Sequence, residues 1–303
     1  MKGNPKFTVF TPTYNRRHTI NRVYESLQSQ TYRDFEWIVI DDGSSDGTSE
    51  LVKAWQEVAD FQISYQYQRN SGKHVAFNRA VQAAKGELFV PIDSDDGFLP
   101  TSLEIMLRCW ESIPAETRKE FTGVVCLYQF KNGLLCGKSL PSSLLDTNSL
   151  DLKYKYKIKR DIWGFHRTDV LKAFPFPEDP TVRFIPEDIV WDAIARKYKL
   201  RCINAALGIL YQDSGNQLTK SEPRKKALVK NYFLQMINRD FDYFIYDPTA
   251  FAKRATLYVR YSLHLHDWGF MKPSRFSKTG AFALCCLALF PGLLIFLIDN
   301  AIG

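Results

Sequence analysis

Two acidic clusters, each directly after an apolar run, are the groups in this sequence best suited to chemistry. Residues 41–47 (DDGSSDG) follow the run 37–40, and residues 93–97 (DSDDG) follow the run 88–92. Carboxylates held close together repel one another unless a cation joins them, and oxygen-rich sites suit hard divalent ions such as Mg²⁺ or Mn²⁺. We therefore expect a metal site, and with it a nucleoside diphosphate whose phosphates the ion bridges.

The elements that must position these clusters are predicted to be buried strands, because β-branched and aromatic runs bounded by turn residues indicate strands. Strand patterns at 7–11, 35–40, 63–68 and 88–92 alternate with helical patterns at 20–27, 51–58 and 74–84. This alternation predicts an α/β fold with a doubly wound, mostly parallel sheet. Open α/β sheets bind ligands where strands leave the sheet, so both clusters fall at the expected ligand edge.

The second half of the chain has a less regular pattern. We predict a helix at 103–110, a strand at 123–130, a helix at 187–199 and strands at 201–204 and 209–212. Residues 153–160 alternate Lys with Tyr and Ile, which indicates an edge strand protected by lysines. The alternative is a basic strip that faces phosphates or anionic lipid.

A shift in composition near residue 220 is the expected domain boundary. It divides the chain into a catalytic domain (1–220, with a nucleotide-binding half of about 1–100 and an acceptor half of about 101–220), a helical extension (221–278) and an apolar tail (279–303). The composition, 45% hydrophobic and 24% charged, excludes wholesale disorder, and the net charge of +7 is too small to indicate nucleic-acid binding. Six scattered cysteines without C-x-x-C spacing are expected to be reduced packing residues.

The tail contains an uncharged run, residues 281–298, which Pro291-Gly292 interrupts. A helix of this length reaches roughly 27 Å, which is marginal for a bilayer core, and the Pro-Gly pair argues against a straight span. Lys272, Arg275 and Lys278 precede the run and favour the cytoplasmic face of a membrane. We expect a hairpin or an interfacial helix that attaches the protein to that face; the alternative is a buried C-terminal core helix.

Four short motifs in order resemble those of the family 2 glycosyltransferases. They are residues 10–15 (FTPTYN), 41–48 (DDGSSDGT), 93–96 (DSDD) and the pair Glu187-Asp188, and the match spans roughly residues 5–215. The resemblance implies a GT-A fold and an inverting enzyme of the bacterial cell-envelope polysaccharide type, with a nucleotide-sugar donor and usually Mg²⁺ or Mn²⁺. No Gln-x-x-Arg-Trp motif follows the acidic pair, which argues for the addition of one sugar and against a processive synthase.

The resemblance assigns the first two motifs to the nucleotide base. Pro12, Thr13 and Tyr14 match the loop that lies against the base. Asp42, with Asp41, matches the carboxylate that recognises uracil. A carboxylate can accept the uracil N3–H, and a tyrosine can stack on the ring. The alternative is that the two aspartates only form a turn and cap the next helix.

The second cluster matches the groups that hold the rest of the donor. Asp93, at the ribose, and Ser94 are assigned to the nucleotide. Asp95 is assigned to the metal, and Asp96 is able to share either role.

Residues 70–78, before this cluster, match the segment that closes over the donor in members of this family. This segment includes Lys73 and Asn78. Lys73 is expected to pair with phosphate oxygens. The alternative for Lys73 is an exposed lysine before a helix.

Glu187 and Asp188 match the family's catalytic pair. Asp188 is the expected base, which takes the proton of the acceptor hydroxyl as that oxygen attacks the anomeric carbon, and Glu187 is expected to orient the loop or the acceptor. The alternative is that both only complement the dipole of a helix N-terminus. Trp163 and Gly164 match the segment that lines the sugar pocket, with a core tryptophan as the alternative, and residues 211–219 match a late loop of bacterial members.

The predicted function is transfer of one sugar from a nucleotide-sugar, with a UDP-sugar favoured, to a hydroxyl of a glycan or lipid-linked acceptor. A dinucleotide-dependent oxidoreductase is disfavoured because Gly-x-Gly-x-x-Gly is missing after the first strand. The remaining alternative is a non-catalytic, membrane-associated adaptor that binds nucleotide-sugars with a GT-A-like fold. The presence of both Asp95 and Asp188 argues against the adaptor.

Overall fold

The structure, a computed structural model, describes residues 3–158, 162–180, 182–211 and 229–302. The chain divides into two compact units. One consists of Met1–Glu178 with Ala193–Asn216, and the other of Asp179–Asp192 with Gln217–Gly303. We call them the sheet unit and the helical unit.

The first half of the sheet unit is the alternating region that the sequence predicts. Strands β1 to β4 are Phe7–Thr13, Phe35–Asp41, Gln62–Tyr67 and Leu88–Pro91, and helices α1 to α3 are Asn21–Gln28, Thr48–Val58 and Lys73–Ala83. The four strands are parallel, in the order β3-β2-β1-β4. Every element predicted for this region is confirmed, because hydrophobic periodicity and turn residues are local signals.

The second half of the sheet unit extends the sheet with mostly antiparallel pairs. Its elements are β5 (Gly97–Phe98), α4 (Ser102–Glu111), α5 (Ala115–Arg118), β6 (Phe121–Phe130), β7 (Leu144–Thr147), α6 (Ser149–Tyr154), β8 (Ile162–Arg167), α7 (Thr168–Ala173) and β9 (Lys199–Leu210). Among the described residues, nine strands form one sheet in the order β3-β2-β1-β4-β8-β6-β9-β5, with β7 also paired to β9. The predicted α/β class is confirmed.

The region 153–160, predicted as an edge strand, begins instead as the end of a helix. The Asn148 side chain accepts a hydrogen bond from the Asp151 N–H and so caps α6. The alternating Lys and Tyr pattern is too short to outweigh this cap. The strand prediction is wrong for the described part of this region, and residues 159–160 lie outside the described residues.

The helix predicted at 187–199 is shorter than expected. Helix α8 is Asp188–Ala195, and Lys199 already starts β9. The two strands predicted at 201–204 and 209–212 are a single strand over the described residues, because β9 pairs with β6 from Lys199 to Leu210, with shifts in register between them.

Large aromatic side chains fill the core of the sheet unit. Trp37, Trp110 and Phe165 are fully buried, and Trp37 donates its indole N–H to Thr11 Oγ1 at 2.9 Å. The six cysteines are free thiols, and burial raises the pKa of Cys202 to about 12. They serve as packing residues, as predicted.

The helical unit contains the first residues of α8 (Asp188–Asp192) and four longer helices. These are α9 (Lys230–Asp240), α10 (Pro248–His264), α11 (Thr279–Leu287) and α12 (Leu289–Ile302). Helix α12 packs closely on α10, since a Cβ at Gly292 would lie 2.6 Å from a methyl group of Val259. Asp299 fixes the far end of α12 by accepting hydrogen bonds from Arg260 and His264 on α10.

Helices α11 and α12 correspond to the predicted apolar tail. No single helix in the described part of the chain is both long and apolar enough to cross a bilayer. Taken together, Thr279–Leu287 and Leu289–Asn300 meet the length and composition required, with a bend of 46° between them. Seven large apolar side chains of this pair are exposed to solvent: Leu287, Leu289, Phe290, Leu293, Leu294, Leu297 and Ile298.

Candidate active site

The strand ends that carry the first acidic cluster lie side by side. Thr13, at the end of β1, is paired with Asp41, at the end of β2, and the Asp42 N–H donates to the Thr13 carbonyl at 2.8 Å. Pro12 lies opposite Ile40 in the same register. Tyr14, directly after β1, is 49% exposed, so its ring is available to stack on a planar ligand.

Asp41 is a fully buried residue whose carboxylate is engaged by the protein itself. Its Oδ1 accepts a hydrogen bond from the Ser44 N–H, and its Oδ2 accepts one from the Tyr65 hydroxyl, both at 2.7 Å. Burial and this hydrogen bond raise the pKa of Tyr65, which keeps the hydroxyl a donor. Asp41 therefore closes the turn after β2, and its predicted role at the nucleotide base stays a prediction.

The Asp42 carboxylate organises the loop after β3. Its Oδ1 accepts hydrogen bonds from Gln68 Nε2 at 2.7 Å and from the Ser71 N–H at 2.6 Å, and its Oδ2 accepts one from the Gly72 N–H at 2.8 Å. Gly72 has a φ of 100°, in the region that favours glycine. Asp42 thus shapes the segment that the sequence predicts to close over a donor.

Gln68 is a buried residue of this site that the sequence pattern did not indicate. Because a carboxylate only accepts hydrogen bonds, the bond to Asp42 fixes the amide and turns Oε1 the other way. Gln68 and Thr13 are each 3% exposed, and neither Gln68 Oε1 nor Thr13 Oγ1 has a hydrogen-bond partner among the described residues. Such buried polar atoms normally have a partner, so both indicate one supplied by a ligand or by water. The usable signal was the position of Gln68 directly after a parallel strand, at the same edge as Asp42.

Two predicted donor-binding residues lie on α3 and make different contacts. Lys73 Nζ is 2.7 Å from Asp93 Oδ1, so the structure brings it to the second acidic cluster. Asn78 donates to the Phe176 carbonyl and to Glu178 Oε1, and accepts from the Phe176 N–H. The Asn78 amide therefore holds the segment 176–178, and none of these three bonds reaches an acidic cluster.

The second acidic cluster gathers three carboxylates after β4. One oxygen from each of Asp93, Asp95 and Asp96 lies within 4.8 Å of the others. Arg16 Nη2 is 3.8 Å from Asp95 Oδ2, and Arg22 Nη1 donates to the Asp95 carbonyl at 3.0 Å. The cluster is therefore held in place from the loop before α1 and from α1 itself.

This set of donors fits a hard divalent cation, since carboxylate oxygens are the ligands that Mg²⁺ and Mn²⁺ prefer. Ser94 is buried within the same turn.

Of the predicted late loop, Tyr211 is described, and the Arg22 guanidinium lies 4.1 Å from the ring centroid of Tyr211. Residues 212–219 lie outside the described residues.

The predicted catalytic pair lies at the start of α8, in the helical unit. The Asp188 side chain is 47% exposed, and its Oδ2 accepts a hydrogen bond from Arg254 Nη2 at 3.1 Å. Glu187 Oε2 accepts one from the Trp191 indole N–H at 3.3 Å. No sequence pattern indicates Arg254 as a partner of Asp188, because the two are 66 residues apart.

Trp163 and Gly164, predicted to line a sugar pocket, have packing roles. Trp163 is buried, donates its indole N–H to the Pro91 carbonyl at 2.8 Å and packs against Phe98. A Cβ at Gly164 would lie 2.0 Å from the Val124 carbonyl oxygen, so glycine permits the close approach of β8 to β6. The tryptophan thus has a core position, and the sugar pocket predicted at these two residues stays a prediction.

A comparison with known protein families finds a match that includes most of the residues described above. Residues 8–118 match the family described as Glycosyl transferase family 2. Over these residues, about a third of the chain, the protein is similar to glycosyltransferase family 2. The matched segment contains the first acidic cluster, Gln68 and the three aspartates after β4.

Curated relatives are named as glycosyltransferases. TuaG of Bacillus subtilis (strain 168), a candidate teichuronic acid biosynthesis glycosyltransferase, is 36% identical over 105 residues, which cover 34% of this chain and 41% of TuaG. YibD of Escherichia coli (strain K12), an uncharacterised glycosyltransferase, is 34% identical over 148 residues, which cover 41% of this chain and 42% of YibD. The chain thus spans less than half the length of these relatives.

Solved structures share the fold over nearly the whole chain. S. aureus TarS 1–349 in complex with UDP-GlcNAc has a TM-score of 0.63 and 18% identity, covering 95% of this chain and 80% of that one. The mannosyltransferase PcManGT from Pyrobaculum calidifontis, in complex with GDP-Man and Mn²⁺, has a TM-score of 0.57 and 16% identity, covering 98% and 88%. These likenesses establish the GT-A fold that the sequence predicts.

Proposed function

We propose that the protein is an inverting glycosyltransferase that moves one sugar from a nucleotide-sugar, with a UDP-sugar favoured, to a hydroxyl of a glycan or lipid-linked acceptor. The observation that carries this proposal is the group of three carboxylates, Asp93, Asp95 and Asp96, within 4.8 Å of one another after β4. The ligands of the solved neighbours, UDP-GlcNAc in TarS and GDP-Man with Mn²⁺ in PcManGT, support a nucleotide-sugar donor and a divalent ion.

In this proposal Asp95 and Asp96 hold Mn²⁺ or Mg²⁺, and Asp93 binds the ribose. The ion, when bound, neutralises charge on the diphosphate. Lys73, at 2.7 Å from Asp93, is then close enough to bind phosphate oxygens. Asp188 receives the proton of the acceptor hydroxyl as that oxygen attacks the anomeric carbon.

The base is proposed to lie between Tyr14 and the buried amide of Gln68. Gln68 Oε1 is an acceptor without a partner among the described residues, and uracil presents a matching donor, its N3–H. Asp42 contributes by fixing the orientation of this amide, through its 2.7 Å hydrogen bond to Gln68 Nε2. Cytosine has no hydrogen at N3, so this arrangement favours UDP over CDP.

Replacing Gln68 with Met is expected to weaken UDP binding by about 10-fold and to reduce the preference for UDP over CDP, because the acceptor for N3–H is lost. Titration calorimetry with the two nucleotides measures both effects. Gln66→Met, which alters an exposed glutamine on β3 two residues before Gln68, is the matched control and should bind as the wild type does. An unchanged UDP to CDP ratio in Gln68→Met would rule out this role.

The experiment that tests the proposed function is titration calorimetry of the full chain with UDP, GDP and dTDP, first with Mn²⁺ and then with EDTA. Metal-dependent binding of one nucleotide is the expected result, and it identifies the class of donor. Release of that nucleoside diphosphate from its commercially available sugar donors then measures turnover. If the folded protein binds none of the three nucleotides, the proposal is wrong.

We also propose that the apolar tail attaches the enzyme to the cytoplasmic face of the bacterial membrane. The exposed apolar side chains of α11 and α12 support this proposal, as do the cationic residues Lys272, Arg275 and Lys278 just before them. Because Gly292 and Asp299 tie the opposite side of α12 to α10, an interfacial position fits better than a free span.

The double variant Phe290→Glu, Leu294→Glu is expected to abolish flotation of the protein with vesicles of phosphatidylglycerol and phosphatidylethanolamine, because each change places a charge on the exposed apolar face. Flotation of the wild type and of the variant measures the effect. The matched control is Val58→Glu, Leu134→Glu, which alters two exposed apolar residues of the sheet unit and should leave flotation intact. If the tail variant floats with the vesicles as well as the control variant does, the attachment through the tail is refuted.

A further inference from the structure

The side chain of Asp188 is the end of a row of alternating charges in the helical unit. Arg254 Nη2 lies 3.1 Å from Asp188 Oδ2 and 3.7 Å from Asp192 Oδ2. Arg239 Nη2 continues the row, at 3.7 Å from Asp192 Oδ2 and 2.8 Å from Asp240 Oδ2. Three carboxylates therefore alternate with two guanidinium groups.

Most of this row is removed from water. The side chains of Asp192 and Asp240 are 2% and 0% exposed, and that of Arg254 is 9% exposed. Solvent screens buried charges weakly, so each ion in the row depends on its neighbours. Asp188 is the member that remains half exposed, which makes it the one carboxylate of the three that is accessible to a substrate.

The row also explains how two acidic residues can share one face of α8. Asp188 and Asp192 are four residues apart and so lie on the same side of the helix, where like charges repel. Arg254, from α10, offsets this repulsion by contacting both. Arg239, from α9, donates from Nη1 to the Ile189 carbonyl at 2.8 Å, which holds the backbone of the first turn of α8.

We propose that Arg254 is a positioning residue for Asp188, holding the carboxylate in one orientation and in its ionised form for proton transfer. This inference rests on the proposed function, in which Asp188 is the base. Arg254 binds Oδ2 from the buried side, and its own guanidinium is kept in place by Asp192. The C-terminal helices thereby take part in catalysis through α10, without contacting the reacting atoms themselves.

The physical cost of losing this contact is a loss of orientation and of charge. Displacement of a catalytic group by about 1 Å can lower a rate by about 100-fold. Removing a cation next to a carboxylate also disfavours the ionised form. Ion pairs link Asp188 to Arg254 on α10 and, through Arg254, to Asp192 on its own helix and to Arg239 and Asp240 on α9. Glu187 is the charged residue directly before Asp188 in the chain.

The test compares Arg254→Met, Arg254→Lys and the control Lys253→Met, an exposed lysine next to it on the same helix. Release of the nucleoside diphosphate gives kcat and its pH dependence, calorimetry gives the Kd for the nucleotide with Mn²⁺, and thermal unfolding reports stability. We expect Arg254→Met to lower kcat by about 10- to 100-fold with an unchanged Kd. The acidic limb of the kcat–pH profile of this variant should move to higher pH, because Asp188 is easier to protonate without the neighbouring cation. Arg254→Lys should recover part of kcat, because it keeps the charge without the guanidinium geometry.

Two outcomes would overturn the inference. One is wild-type kcat in Arg254→Met; the other is a lowered kcat with an unmoved pH profile and no recovery in Arg254→Lys, which indicates only a structural ion pair. Asp188→Asn separates this failure from that of the proposed function. If Asp188→Asn is inactive while Arg254→Met is fully active, Asp188 is the base and only the positioning role is wrong. If Asp188→Asn keeps full activity, the assignment of the base is wrong.

Discussion

Replacing Asp188 with Asn is expected to lower the rate of sugar transfer by about 10²- to 10⁴-fold while leaving the Kd for the nucleotide nearly unchanged. The amide has the size of the carboxylate and can still accept the hydrogen bond from Arg254, but it cannot take a proton from the acceptor hydroxyl. Asp188 also belongs to the helical unit, whereas the proposed nucleotide and metal ligands belong to the sheet unit. Single-turnover release of the nucleoside diphosphate, together with calorimetric titration in Mn²⁺, measures the two quantities.

The control for this variant is Asp169→Asn. Asp169 lies in the first turn of α7, as Asp188 lies in the first turn of α8, and its carboxylate is also paired with an arginine, Arg167. If acidic residues at these positions only complement helix dipoles, both variants should lose a little stability and no activity. Equal loss of nucleotide binding and of transfer in Asp188→Asn would contradict its assignment as the base.

Replacing Asp95 with Asn is expected to abolish metal-dependent nucleotide binding, with a Kd in Mn²⁺ at least about 100-fold weaker, and to abolish turnover with it. A hard divalent cation needs charged oxygen ligands, and the change removes one negative charge from a group of three carboxylates within 4.8 Å. Calorimetry of the variant with Mn²⁺ should resemble that of the wild type with EDTA. This separates loss of the ion from loss of the base pocket, which the change does not touch.

Asp60→Asn is the matched control for Asp95→Asn. Asp60 is paired with Arg33 at the surface, so the variant changes the net charge equally without altering the cluster. Asp96→Asn, made in parallel, shows whether the neighbouring carboxylate shares the ion, which the sequence leaves open. Nucleotide binding that survives both EDTA and Asp95→Asn would mean that the metal role is wrong.

The sequence alone was sufficient to predict where the ligand edge of the sheet lies. The strand ends at Asp41 and after Leu88–Pro91 follow from apolar runs and turn residues that are close together in the chain. The grouping of Asp93, Asp95 and Asp96 follows in the same way, because one short turn brings them together. The α/β class was predictable for this reason.

Only the tertiary structure showed which side chains face one another across elements. Asp42 holds the loop at Gly72, Trp163 packs in the core, and Arg254 reaches Asp188 from a helix 66 residues away. The edge strand expected at 153–160 failed because the cap at Asn148 decided the local conformation. Periodicity states that a side chain is buried or exposed, but its partner depends on how the elements pack, and that is settled by contacts between distant parts of the chain.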